Sequence, residues 1–272
     1  MTVDLLERSI SLGEYPSHDN VHKAKLCIEN VSFWYGKKQV LKDVSIDIFD
    51  KEVTAFLGPS GCGKMTLLQA INRTNELVDG ARMTGRVLLD DSDVYAADID
   101  PPIMRRRFGW IAQRPNLFPR SIRSNLLYGP QIHGLSLGAS QNKRVEQVLQ
   151  QVGLWDEVKD GLDGFAPDLS IGQQQRLCIA RALAHEPDVI LMDEPCSALD
   201  PLATAVIEHL IDELRRTHAV IVITHNLQQA ARIAQRVAFF HLGEVLEQGD
   251  ARQIFLDPKT DRCRNFVMGR YG

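Results

Sequence analysis

The chain has 272 residues, 44% hydrophobic and 24% charged, enough apolar side chain to bury one large or two modest domains; this excludes a largely disordered polymer. Its formal net charge of −4 lacks the basic excess that holds nucleic acid, so that class of partner is not expected. Five widely spaced cysteines (Cys27, Cys62, Cys178, Cys196, Cys263) without a Cys-x-x-Cys pair point to a reducing compartment. No apolar run approaches the ~20 residues that cross a bilayer, so a membrane role is expected to be peripheral.

The opening MTVDLLERSISLGEYPSHDN carries acids early and no long apolar core, unlike a secretory signal; residues 1–25 are expected to form a variable extension before a folded body over 26–272. From Leu26, LCIENVSFWYG and VLKDVSIDIFDKEVTAFLG have strand composition and predict an antiparallel β-subdomain feeding a buried strand, Val53 to Leu57. TLLQAINRTNEL then has helical apolar spacing. Arg82 to Asp90 reads as a strand, and a charged helix precedes RRRFGWIAQ, whose last residues form a short strand. Between about 115 and 184 the pattern turns to helices broken by Gly and Pro, an inserted helical subdomain. After Pro187, VILMD reads as a central parallel strand, ATAVIEHLIDELRRT as a helix and AVIVITH as a second buried strand. This order predicts a parallel α/β core.

Gly58-Pro59-Ser60-Gly61-Cys62-Gly63-Lys64 joins a strand to a helix, the arrangement in which backbone N–H groups and a helix N-terminus hold phosphate oxygens. Lys64 can reach the β- and γ-phosphates. At the end of VILMD, Asp193 can bind magnesium while Glu194 is placed to polarise an attacking water. The pair of motifs defines a nucleoside triphosphatase core.

Leu169-Ser-Ile-Gly-Gln-Gln-Gln-Arg176, Ser197-Ala-Leu-Asp200 and His225 follow in the order of a signature sequence, a D-loop and a switch histidine. Together with the motifs above they resemble the ATP-binding cassette (ABC) family over nearly the whole chain. The resemblance implies an α/β P-loop NTPase (ABC ATPase) fold with a parallel-sheet RecA-like core, and ATP and Mg2+ as cofactors. It also implies a homodimer in which each ATP lies between one copy's glycine loop and the other's signature. Ser170, Gly172 and Gln173 would then contact the γ-phosphate at the start of a helix beginning near Gln173, with Asp200 beside them. Gln113, ending a strand, matches the magnesium-sensing Q-loop and His225 the residue that supports the attacking water. Tyr35 matches the aromatic that stacks on adenine, and Thr66 the residue facing the α-phosphate.

QQQRLCIARALA, DEPCSALDP, THNLQQAAR, RPNLFP and GRYG further resemble the ATP-binding subunit of the phosphate importer (PstB) family. That resemblance implies coupling of ATP hydrolysis to phosphate uptake with two integral-membrane permease subunits and a phosphate-binding protein. The chain would sit on the cytoplasmic face of the inner membrane, with the segment from Gln113 to Pro119 as its contact.

Two positions depart from the family pattern. Met65 stands where a Ser or Thr hydroxyl binds magnesium, and a thioether is a poor ligand for so hard a cation; slower hydrolysis with retained nucleotide binding is expected. Ile171 replaces the first signature glycine and is unfavourable if the backbone there needs positive φ. The alternative that these departures favour is a nucleotide-binding regulatory paralogue with weak hydrolysis.

Overall fold

The structure, a computed structural model, describes residues 23–135 and 138–270. Most of the expected N-terminal extension and the last two residues of GRYG lie outside the described residues.

The chain forms two compact units, one from residues up to 105 together with 211 onward, the other from residues 106–210. In the first, β1 (Ala24–Tyr35), β2 (Lys38–Phe49), β4 (Ala81–Leu89) and β5 (Ser92–Asp93) make an antiparallel sheet in the order β2-β1-β4-β5. Alternation in β2, where Leu41, Val44, Ile46 and Ile48 are buried and residues between them exposed, turns one face of this sheet inward. The second sheet of this unit is built on β3 (Val53–Leu57), buried at every residue. It is flanked in parallel by β8 (Ala219–Ile223) and β9 (Arg236–His241), with β10 (Glu244–Asp250) antiparallel at the edge. The parallel strands are mostly apolar, with polar residues confined to Thr54 and the two ends of β9, because both of their faces are covered.

Helix α1 (Lys64–Ile71) follows β3 directly. It is shorter than the periodicity predicts: Arg73 takes φ 61, and a 3-10 turn covers Thr74–Leu77. The Asn72 side chain accepts bonds from the Thr74 N–H at 3.1 Å and hydroxyl at 2.7 Å, offering the backbone an alternative to the helix. Helix α2 (Pro101–Arg106) takes in the first two arginines of RRRFGWIAQ.

The second unit contains β6 (Phe108–Ile111) paired in parallel with β7 (Val189–Asp193). Between them run α3 (Ile122–Ile132), α4 (Gln141–Gln151), α5 (Trp155–Val158) and α6 (Ile171–Leu183). After β7 comes α7 (Pro201–Arg215), which ends in the first unit. There α8 (Leu227–Ile233), α9 (Ala251–Leu256) and α10 (Asp261–Val267) complete the described chain. Among the described residues no helix is long and apolar enough to cross a membrane.

Candidate nucleotide site

The glycine loop leaves β3 at Leu57 and enters α1 at Lys64. Gly58, Gly61 and Gly63 have φ of 137, 76 and 109, values that L side chains rarely adopt. At Gly58 the demand is also steric, since a Cβ would lie 2.2 Å from the Phe240 carbonyl oxygen. Gly63 caps α1 without a side-chain hydrogen bond, so the first-turn N–H groups are offered to an anion. Pro59 is half-buried, and Ser60 and Gly61 face solvent.

Lys64 is only 9% exposed. Its Nζ donates to the carbonyls of Gly58 at 2.7 Å and Pro59 at 2.9 Å and lies 3.5 Å from the Cys62 Sγ. The ammonium is therefore folded into the loop, close enough to exchange these carbonyls for phosphate oxygens. Loop conformation, helix end and lysine together fit a triphosphate. Met65 is half-buried at the second position of α1, and Thr66 is buried beside it.

Tyr35 is half-buried in the same unit; its hydroxyl donates to Gln69 Oε1 at 3.3 Å, tying the ring to α1, and it packs edge-on against Phe33 at 4.9 Å. His225 is exposed, two residues beyond β8. The turn carrying it is braced on both sides: the Thr224 hydroxyl donates to Gln229 at 2.8 Å and accepts from the Asn226 N–H at 3.1 Å. The Asn226 side chain in turn caps α8.

In the second unit Asp193 is the last residue of β7, and Glu194 follows with φ 44. A non-glycine residue held in the left-handed region stores strain of the order of 1–3 kcal/mol, a cost often met at functional sites. Gln113 lies two residues past β6 rather than at its end, and its Nε2 donates to Glu194 Oε2 at 3.0 Å. Behind it, the buried Gln175 donates to the Ala112 carbonyl at 3.4 Å. The RPNLFP segment is pinned as well, with Arg181 donating to the Asn116 side chain at 2.6 Å and Asn125 to the Phe118 carbonyl at 3.1 Å.

The signature helix α6 begins at Ile171, two residues earlier than expected, because Ser170 forms a capping box. The Ser170 Oγ accepts from the Gln173 N–H at 3.4 Å, and the Gln173 side chain accepts from the Ser170 N–H at 2.9 Å. Ile171 is thus the first helical residue; it takes no positive φ and is 50% exposed. The strain considered for this departure does not arise. Gly172 is the tighter position, where a Cβ would sit 3.1 Å from that of Ala203 in α7.

Two side chains absent from the sequence-based set hold this end of α6. Glu157 accepts from Gln173 at 2.8 Å and from both guanidinium nitrogens of Arg176 at 2.7 and 3.0 Å. The Arg176 hydrogen bonds keep its carboxyl below the usual glutamate range. Arg176 belongs to a quoted motif, but Glu157 has no local sequence signal. Asp200 accepts from the N–H groups of Leu202 and Ala203 at 2.9 Å each. Ser170, Gly172, Gln173, Arg176, Glu157 and Asp200 share a cleft of about 140 Å³.

A glycine loop between a buried parallel strand and a helix defines this as a P-loop nucleotide-binding fold. Residues 41–197, more than half of the chain, match the ABC transporter family, and the chain belongs to that family. It is similar to CbiO1 from Clostridium perfringens, part of the ABC transporter complex CbiONQ, with 28% identity and a TM-score of 0.75 over 91% of this chain and 96% of that one. It also matches a bacterial Atm1-family ABC exporter solved with ATP bound, at 24% identity and a TM-score of 0.76, over 95% of this chain. The match spans 44% of the exporter chain, and at that identity it speaks to the ABC ATPase fold alone.

Proposed function

We propose that the chain is the ATP-hydrolysing subunit of an importer that drives inorganic phosphate across the cytoplasmic membrane. The observation that carries hydrolysis is the 3.0 Å hydrogen bond from Gln113 to Glu194, which aims a carboxylate from the end of β7. In this reading two copies close around two ATP molecules, with Lys64 and the loop amides on the phosphates of one copy. The Ser170, Gly172 and Gln173 end of α6 meets the γ-phosphate from the other. Tyr35 lies against adenine, Thr66 faces the α-phosphate and Asp200 lines the dimer interface.

Glu194 orients the attacking water and takes its proton, while His225 supports that water and the γ-phosphate. Asp193 and Gln113 are the residues that would hold magnesium, which would supply positive charge against the phosphoryl group. With its Nε2 donating to Glu194, Gln113 would offer its amide oxygen, a hard ligand, to such an ion. Loop amides and Lys64 stabilise the charge that develops during transfer.

The membrane partners are two integral-membrane permease subunits, contacted through the pinned segment from Gln113 to Pro119, with a phosphate-binding protein on the far side. The chain then sits peripherally on the cytoplasmic face. CbiO1 being part of a multi-component complex supports a subunit role; the phosphate assignment rests on the sequence strings alone. Phosphate-stimulated ATPase activity of the reconstituted complex, with other anions as controls, tests it. Stimulation by phosphate is expected, and equal stimulation by an unrelated anion refutes the substrate. Met65 favours a second reading, a nucleotide-binding regulatory paralogue with weak hydrolysis, which the same ATPase measurement separates from the first.

A further inference from the structure

The hairpin turn between β9 and β10 lies against the glycine loop, within the first unit. Leu242 and Gly243 form its two central positions with φ of 48 and 88, the pattern of a type I′ turn. Leucine is an odd choice for the first of these, which favours Asn or Asp, and here it is 66% exposed. The turn is docked rather than free. The Gly243 N–H donates to the Cys62 carbonyl at 3.0 Å, and its carbonyl accepts from the Lys42 N–H at 2.8 Å. Lys42 also reaches Glu244, the next residue, at 3.3 Å.

No side chain fits in this junction. A Cβ on Gly243 would lie 2.4 Å from the Val40 carbonyl oxygen, while a Cβ on Gly63 would meet Leu41 Cδ2 at 2.7 Å and Gly243 Cα at 3.7 Å. The loop backbone is therefore seated against the start of β2 and the β9–β10 turn at glycine-to-glycine distance.

We infer that Gly243 is a positioning residue for nucleotide binding: through its hydrogen bond to Cys62 it sets the orientation of the Cys62–Gly63 peptide. The peptide is trans and planar, so a carbonyl fixed toward Gly243 points the Gly63 N–H away from the turn. The turn closes one side of the loop, and a phosphate must approach from the other. Holding the carbonyl thus presets a donor that would otherwise have to be oriented on binding, a saving of the kind preorganisation provides. A side chain at residue 243 forces the turn off Val40, lengthens the bond to Cys62 and frees the peptide. The inference rests on the reading of the glycine loop as an ATP site.

ATP binding by the full chain, measured by calorimetry, tests it in the wild type, Gly243→Ala and Gly134→Ala. Gly134 also has positive φ, 67, but its Cβ would meet nothing within 4 Å, so this control carries the backbone strain without the collision. The expected result is a Kd raised about tenfold or more by Gly243→Ala and less than about twofold by Gly134→Ala. A Gly243→Ala Kd within twofold of wild type overturns the inference. A wild-type chain that binds no ATP refutes the nucleotide reading itself, and the inference with it. If Gly243→Ala does not fold, hydrogen exchange of the Gly243 amide in the wild type decides. Slower exchange on adding ATP is expected, because the bond to Cys62 is tightened with the loop, and an unchanged rate overturns the proposal.

Discussion

Met65→Ser is expected to make the protein a faster ATPase and a less stable one. The methionine is half-buried in the first turn of α1, immediately after Lys64. Exchanging it for serine forfeits about 1 kcal/mol of apolar burial and roughly 0.3–0.5 kcal/mol of helix propensity. Against that, the hydroxyl supplies a hard oxygen donor at the place where the proposed reading would put a magnesium ligand, and a tenfold gain in rate corresponds to a barrier lower by about 1.4 kcal/mol. The two effects have opposite signs on different observables, so they can be read separately. Steady-state hydrolysis as a function of magnesium concentration reports the first, and the thermal midpoint the second. Met65→Ala serves as the control, removing the same bulk without adding an oxygen. If serine is no faster than methionine, water already completes the coordination. If alanine is as fast as serine, bulk rather than ligand chemistry limits the rate. Either result refutes the reasoning.

Glu194→Gln is expected to abolish turnover while trapping ATP; undiminished hydrolysis would remove Glu194 from its role. Ile171→Gly in a Glu194→Gln background is expected to leave ATP-driven dimer formation unchanged or weaker in sedimentation, because Ile171 already has helical backbone and glycine costs roughly 0.5 kcal/mol there. A stronger dimer would show that the isoleucine side chain itself obstructs closure. Leu242→Asn, which relieves a left-handed leucine that is 66% exposed, is expected to stabilise the protein by about 1 kcal/mol in denaturant titrations without weakening ATP binding; a destabilised protein would count against the strain argument. His185 gives a pH prediction. Burial first, and then neighbouring His133, push its pKa down to about 4. With the folded value below the unfolded one, its contribution is intact above about pH 6.5 and is lost as the pH falls toward 4, by up to about 3 kcal/mol. Urea titrations across that interval should show a flatter pH dependence in His185→Gln, and an identical dependence would rule out this histidine as the cause.

Strands β3, β7 and β8 and the glycine loop were legible because their signals are local. VTAFL, VILMD and AVIVI are apolar runs of strand length, and the structure places strands over Val53–Leu57, Val189–Asp193 and Ala219–Ile223. The end of α1 was not legible, since the apolar spacing of TLLQAINRTNEL continues past Asn72 while the chain is turned by a side-chain bond to Thr74. Glu157 escaped for a different reason. It orients the start of the signature helix from a short helix 16 residues before Gln173, through contacts that only the folded chain creates. The same holds for Gly243, whose backbone meets Cys62 and Lys42, far away in the chain. Ile171 shows the converse error. Judged as a missing glycine it suggested strain, yet a capping serine before it makes the position the first residue of a helix, where a β-branched side chain directed to solvent costs little. Motif residues announce which group meets the ligand; the residues that aim those groups are fixed by tertiary packing, and only the fold discloses them.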